Sequence, residues 1–315
     1  MAIWRRTITN GHGLGRFGIH VFRHGYPDYL LQFRGGIGDD LLCTIVAREL
    51  QQRRQCRIAM MTSHPLLFRH NPDITATMIH SSAVHVMRRL GVNVPDVHYC
   101  SYDAKSDTDR FVGSHIIDVM CRNAGLQGDI NRRPYIYLTD KERLAGKIAS
   151  EQIVLQAGGM SALFPMKNKE WIAKRYQEVA SQLSRKFRVI QVGSKGDMAI
   201  KSAYDLRGKL NVRDTAAILS SSRFFLGPVG FCMHLARAAD IRAVIMFGGR
   251  ERSSQSGYSC NENIERHPVC SPCWKRNHCD HDRICMEHIT VSDVISSVDR
   301  VLSRSPDLEI DQALI

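Results

Sequence analysis

The pattern that most narrows what this chain can fold into is a repeated series of apolar, strand-like runs that end in glycine turns and lead into helix-period segments. The first series opens with Tyr29-Leu30-Leu31-Gln32-Phe33 as a strand. The turn Gly35-Gly36-Ile37-Gly38-Asp39-Asp40 follows, and then apolar residues at helical spacing from Leu41 to Arg54. Cys56 to Met61 and Thr75 to Ile79 read as further strands, with Asn71-Pro72-Asp73 as the turn between them. His115 to Ala124 reads as a helix and Tyr135-Ile136-Tyr137-Leu138 as another strand. After a charged helical stretch from Thr139 to Ser150 the series starts again, with a strand at Ile153 to Gln156 and the turn Ala157-Gly158-Gly159. Helices at Trp171 to Ser184, Val212 to Ser221 and Met233 to Ala239 then alternate with strands at Arg188 to Val192, Arg223 to Leu226 and Ala243 to Phe247. Such alternation predicts an α/β fold of parallel sheets with helices on their faces.

A chain of 315 residues is long enough for about two domains of this kind. Facing each other they make a central cleft, and ligands in doubly wound folds lie beyond the strand ends. The expected division is an extension at 1–28, a first α/β domain at 29–145, a second at 151–290 with a cysteine-rich segment at 260–288, and a C-terminal helix and tail at 291–315. Within the extension, Gly11-His12-Gly13-Leu14-Gly15-Arg16-Phe17-Gly18 superficially resembles a dinucleotide loop. No apolar strand precedes it, as that use requires, so a nicotinamide-dependent oxidoreductase is disfavoured and a flexible or surface-docked arm expected.

With 43% apolar and 23% charged residues the composition is that of an ordinary globular protein. No window approaches the roughly 18 apolar residues of a membrane span, and no apolar stretch follows Trp4-Arg5-Arg6, so a cytoplasmic protein is expected. Lys plus Arg exceed Asp plus Glu by 43 − 31 = 12, which favours anionic partners such as nucleotide diphosphates, phosphorylated glycans or an anionic membrane surface. The chain lacks the aromatic-and-basic stripe of a nucleic-acid binder. Its ten cysteines are expected to be mostly thiols. Cys43, Cys56, Cys100, Cys121 and Cys232 stand singly in apolar or mixed segments and read as small buried hydrophobes.

Two places carry chemistry. Asp39, at the strand-to-helix junction, either faces a substrate beyond the strand end or caps the helix, and Asp40 is its backup. Cys270, Cys273, Cys279 and Cys285 place soft ligands within one short segment that also contains Pro268 and Pro272. Such a set suits a structural zinc or iron ion, with His267, His278, His281 and His288 as alternative ligands. Free thiols or adventitious disulfides are the other readings.

The order and separation of several short motifs resemble the bacterial glycosyltransferases of the ADP-heptose heptosyltransferase type, family 9, over about residues 29–300. These motifs are Gly35 to Asp39, Asn71-Pro72-Asp73, Lys169-Glu170-Trp171, Gly193-Ser194, Asp205-Leu206-Arg207-Gly208-Lys209, Gly227-Pro228-Val229-Gly230 running into Met233-His234-Leu235-Ala236, and Phe247-Gly248-Gly249. The resemblance implies a GT-B architecture, two Rossmann-like domains across a cleft, with the acceptor on the N-terminal side and a nucleotide-sugar on the C-terminal side. It implies an inverting, metal-independent transferase that moves a sugar, heptose from ADP-heptose, to a hydroxyl of a lipopolysaccharide-type or other glycan acceptor. The alternatives are a protein O-heptosyltransferase and a non-catalytic sugar-nucleotide-binding relative.

By the same resemblance Asp39 is the general base that takes the acceptor hydroxyl proton, and Lys169 contacts the donor phosphate. A solvated lysine is the other reading of Lys169, and Lys167 is close enough to share either role. A lysine at a helix start opposes the macrodipole preference, which favours an anion there. The backbone at Gly193, Ser194, Gly227, Gly230 and Gly248 is expected to approach the donor, with His234 either bonding phosphate or serving the fold. Arg207 and Lys209 either add positive potential or form an ion-paired turn. One departure stands out: many relatives carry an acid in the loop where this chain has Val229 and Phe231. Some relatives that glycosylate autotransporter proteins bind iron in a comparable cysteine segment.

Overall fold

A computed structural model describes residues 25–111 and 113–304, together with Gly18 and Val21. The glycine run from Gly11 to Phe17 and the tail at 305–315 lie outside the described residues.

The first half contains β1 (Tyr29–Gln32), α1 (Ile37–Arg54), β2 (Ile58–Met61), β3 (Ala76–Met78), α2 (Ala83–Arg89), β4 (Cys100–Asp103), β5 (Thr108–Phe111), α3 (Ile116–Asn123) and α4 (Asp140–Ala145). Strands β1, β2 and β3 form a parallel sheet in that order, with Tyr29 opposite Ile58 and Ala59 opposite Ala76. Leu30, Leu31 and all of Ile58–Met61 are buried, as expected of parallel strands covered on both faces. At its far end α1 stops at Gln55, whose left-handed φ of 48° turns the chain back while its N–H still bonds Gln51 O.

Tyr135 to Leu138 does not form the expected strand. Its polar groups are taken elsewhere: Tyr135 N donates to Thr44 Oγ1 at 2.9 Å, and Tyr137 O accepts from Arg213 at 2.6 Å. Two of the segment's backbone groups are thus bonded outside any sheet ladder.

The second half contains β6 (Gln152–Gln156), α5 (Ala173–Leu183), β7 (Arg188–Val192), β8 (Tyr204–Asp205), α6 (Val212–Ser220), β9 (Phe225–Pro228), α7 (Phe231–Ala238), β10 (Ala243–Gly248), α8 (Ser253–Ser256), β11 (Glu262–Glu265), α9 (Ile284–Glu287) and α10 (Val291–Ser303). Its six strands run parallel in the order β11-β10-β9-β6-β7-β8. Numbered along the chain this is the doubly wound order, and the strand order reverses between β6 and β9. Beyond the carboxyl ends of those two strands lies the crevice where such sheets take ligands.

Three contacts set the two halves against each other. The N-terminal turn of α1 meets that of α7, so closely that a Cβ on Gly38 would lie 3.5 Å from Phe231 Cα. Arg213, on α6 and only 3% exposed, pairs with Glu142 on α4 and also donates to Tyr137 O. The β4–β5 hairpin docks on the cysteine segment: Asp109 N bonds Trp274 O at 3.0 Å, Arg276 N bonds Asp107 O at 2.9 Å, and Phe111 stacks on Trp274. One apolar core runs through both halves, from Leu41 and Ile45 on α1 to Met233 and Leu235 on α7.

Candidate functional site

A cavity of about 450 Å³ opens at the strand-order reversal, a size suited to a small-molecule ligand. Gly35 to Asp39, Tyr99 and Asp109 wall it from the first half, while Lys169, Glu170, Pro228 to Phe231 and His234 wall it from the second. Asp39 and Lys169, expected to face one gap, therefore line the same cavity.

Asp39 both caps its helix and faces the cavity. Its Oδ2 accepts from Gly36 N at 2.8 Å and its Oδ1 from the Tyr99 hydroxyl at 2.8 Å. Gly35 leaves room for this: a Cβ there would sit 2.5 Å from Asp39 Oδ2. Burial raises the Asp39 pKa, and the bonds from Tyr99 and Gly36, with the nearby charge of Lys169, pull it back down. A carboxylate whose affinity for a proton is raised above the ordinary range is a better proton acceptor. Asp40 is placed differently. It is 2% exposed, accepts from Thr62 at 2.5 Å and His64 at 2.9 Å, and does not line the cavity.

Lys169 ends a short 3₁₀ turn, Lys167–Lys169, and α5 begins only at Ala173. It is not at a helix N-terminus, so the macrodipole argument for an anion beside it does not apply. Its ammonium is held instead by Glu251 Oε1 at 2.6 Å. Burial lowers the Lys169 pKa and Glu251 opposes that shift. For Glu251 burial acts the other way, but Lys169 and Arg250 outweigh it and hold the carboxyl down at about 2. Glu251 is thus an ionised carboxylate, and Lys169, held against it, is the basic group that the cavity wall presents to an incoming anion. Lys167 does not line the cavity.

Of the other expected donor contacts, Gly230 lines the cavity with open space where its Cβ would be, and His234 lines it as well. His234 is buried, its Nδ1 is 2.7 Å from the Tyr258 hydroxyl, and burial together with Lys169 and His115 lowers its pKa to about 3. It is a neutral imidazole, able to share a hydrogen bond but not a positive charge. Gly193, Ser194, Gly227 and Gly248 do not line the cavity. Gly193 and Ser194 crowd Asp197, Gly227 packs on the Phe225 ring, and Gly248 packs on Met286. Arg207 pairs with Asp205 at 2.8 Å and Lys209 bonds Asp205 O, so they form an ion-paired turn. Phe231 lines the cavity, and Val229, 5% exposed, reaches its wall.

Cys270, Cys273, Cys279 and Cys285 converge on a separate small cavity of about 20 Å³, with His281 beside them. That is room for roughly one water-sized sphere. Arg283 N donates to Cys279 Sγ at 3.3 Å, and burial raises the Cys273 and Cys285 thiols. Thiols around one small space are the donor chemistry of a soft metal. Among the described residues, however, no three His, Cys, Asp or Glu side chains are grouped closely enough to hold an ion. His267 is bound up with Glu265 and Arg252, and His278 with Asp280. Of the single cysteines Cys43, Cys121 and Cys232 are buried, whereas Cys100 lines the main cavity with its pKa raised by burial to about 12.

Several cavity residues had no signal in the sequence reading. Tyr99 and Asp109 belong to the hairpin region, where no apolar period marks the chain. Arg250 and Glu251 could have been found, because they directly follow Gly248 and Gly249 at the carboxyl end of an expected strand. Glu170 also lines the cavity and accepts from Gly159 N at 2.7 Å.

No protein-family model matches the sequence and no curated protein aligns with it. The fold, in contrast, is that of solved GT-B glycosyltransferase structures. It is similar to a glycosyl transferase family 9 structure from Veillonella parvula, at 14% identity and TM-score 0.64 over 88% of this chain and 97% of that one. It is similar to the iron-containing dodecameric glycosyltransferase TibC from enterotoxigenic E. coli, at 18% identity and TM-score 0.68 over 88% of this chain and 76% of that one. It is also similar to E. coli ADP-heptose LPS heptosyltransferase II, at 14% identity and TM-score 0.64 over 87% of this chain and 98% of that one. Among the described residues no helix is long and apolar enough to cross a membrane.

Proposed function

We propose that this chain is an inverting glycosyltransferase of the family 9 type, transferring a sugar, heptose from ADP-heptose, to a hydroxyl of a glycan acceptor without a catalytic metal. The observation that carries this reading is the joint lining of one cavity by Asp39 and Lys169 from opposite halves of the molecule. A TibC structure similar to this chain is a complex with ADP-D-β-D-heptose.

In this reading the acceptor hydroxyl lies against Asp39, which removes its proton as the oxygen attacks the anomeric carbon from the face opposite the diphosphate. The bond from that carbon to the diphosphate breaks with its electron pair leaving on the phosphate oxygen. Lys169 stabilises the charge that develops there, in a water-poor wall where a fixed cation acts strongly. Neutral His234 and the Gly230 backbone add hydrogen-bonding groups at the start of α7. The division at 29–145 and 151–290 corresponds to an acceptor side and a donor side. The net positive charge suits an anionic acceptor or the anionic inner-membrane surface that carries one. The cysteine segment would serve the fold rather than the chemistry, with Cys270, Cys273, Cys279 and Cys285 as the residues that would hold a structural zinc or iron.

The test is sugar transfer from ADP-heptose alongside ADP binding, in wild type and Asp39→Asn. Transfer is expected to fall by about 10²–10⁴-fold with ADP affinity retained. Intact transfer in the variant rejects Asp39 as the base. A second reading, a non-catalytic sugar-nucleotide binder, is favoured by Val229 and Phe231 in a loop where many relatives carry an acid. ADP binding with no transfer by the wild type selects it.

A further inference from the structure

The same cavity wall carries a buried ionic chain of which the mechanism above uses only Lys169. Arg250 and Asp109 are 2% and 3% exposed, and they come from opposite halves of the molecule. Each nitrogen of the Arg250 guanidinium is engaged: Nε donates to Lys275 O at 3.0 Å, Nη1 to Glu251 Oε1 at 3.0 Å, and Nη2 to the Asp109 carboxylate. Its plane also lies over the Trp274 ring at 5.0 Å. On one side Glu251 passes the contact on to Lys169 at 2.6 Å. On the other, Asp109 accepts from Arg276 Nη2 at 2.7 Å, and that guanidinium in turn covers the Tyr102 ring at 3.9 Å.

Two cations with donors to spare thus face the cavity, Lys169 from the second half and Arg276 from the cysteine segment, and Arg250 stands between their counter-ions. Burying so many charges is costly, and replacing them with apolar groups would commonly be no worse for stability. What the arrangement provides is fixed spacing. A planar guanidinium can bridge two carboxylates and a carbonyl in one geometry, which a lysine cannot.

We propose that Arg250 is a positioning residue for diphosphate recognition, a hub whose bonds to Glu251 and Asp109 set the placement of the Lys169 ammonium relative to the Arg276 guanidinium. The proposal rests on the reading that Lys169 receives the donor diphosphate.

The experiment titrates ADP and, separately, adenosine into the full-length wild type, Arg250→Lys, Lys169→Gln and the double variant by calorimetry. Arg250→Lys conserves charge, so a change in ADP affinity reports geometry rather than field. Arg250→Lys is expected to weaken ADP about tenfold and leave adenosine within about twofold, with no further loss in the Lys169→Gln background. Asp109→Glu, also charge-conserving, moves the far anchor of the fork and is expected to give the same ADP-selective loss if Arg250→Lys fails to fold. Equal losses for ADP and adenosine would reduce Arg250 to a structural residue and overturn the proposal, as would an undiminished Arg250→Lys effect without Lys169. If Lys169→Gln weakens ADP while neither Arg250→Lys nor Asp109→Glu does, the hub alone is wrong. If Lys169→Gln leaves ADP binding intact, the donor-site reading fails and the hub with it.

Discussion

The Tyr99 hydroxyl donates to Asp39 Oδ1 at 2.8 Å, joining a residue just before the β4–β5 hairpin to the first turn of α1. The bond orients the carboxylate on the cavity wall and leaves its other oxygen to the cap at Gly36.

Because the Tyr99 bond opposes the rise that burial imposes on Asp39, Tyr99→Phe should raise the carboxyl further. A base works when ionised, so activity falls as pH drops through its pKa. The acid limb of the transfer rate against pH is therefore expected to move to higher pH in Tyr99→Phe. A limb that stays in place or moves down separates Tyr99 from the reacting carboxylate.

Glu251 raises the Lys169 pKa against burial, and Glu251→Gln removes that support while keeping the side chain's shape. The ammonium should then lose its proton at lower pH. Calorimetric titration of ADP across about pH 6 to 10 is expected to show the alkaline loss of affinity beginning earlier in the variant. An unshifted alkaline limb means Lys169 does not bind the nucleotide.

Arg213 on α6 holds α4 and the Tyr137 segment together through Glu142, which is 27% exposed, so part of the pair is screened. Arg213→Met is expected to cost about 2 kcal/mol, less than a fully buried pair would. The exposed pair Arg110–Asp103, broken by Arg110→Met, should cost much less than the Arg213 pair, because solvent screens it. Urea midpoints compare the two, and equal costs would show that Arg213 is no clamp.

Gly248 has a φ of 64° and a Cβ there would lie 2.7 Å from Met286 Sδ. Gly248→Ala is expected to destabilise the protein by about 1–3 kcal/mol through strain at that φ and displacement of Met286. ADP affinity should hold, since Gly248 does not line the cavity. Lost ADP binding in a stable variant would restore it to the donor site.

The cysteine segment makes its own prediction. Metal analysis of the purified protein is expected to find about one zinc or iron per chain, lost together with thermal stability in Cys273→Ser. Metal-free protein with unchanged melting in the variant would leave four plain thiols.

The alternation of apolar runs and glycine turns determined the α/β class and the parallel sheets, because strand and helix periods are local properties of the chain. The glycine turn before α1 likewise marked Asp39, since the carboxyl end of a strand is a position in sequence as well as in space. Local pattern misled at Tyr135 to Leu138, where a strand-like run spends its hydrogen bonds on Thr44 and Arg213, partners distant in sequence. It misled again at Lys169, which sits on a 3₁₀ turn rather than a helix start. Only the tertiary structure decided which of the expected glycines reach the cavity, that Glu251 already holds Lys169, and that Tyr99, Asp109 and Arg250 join the wall. Those are pairings between elements far apart in the chain, and charge and packing select them only after the sheets have assembled.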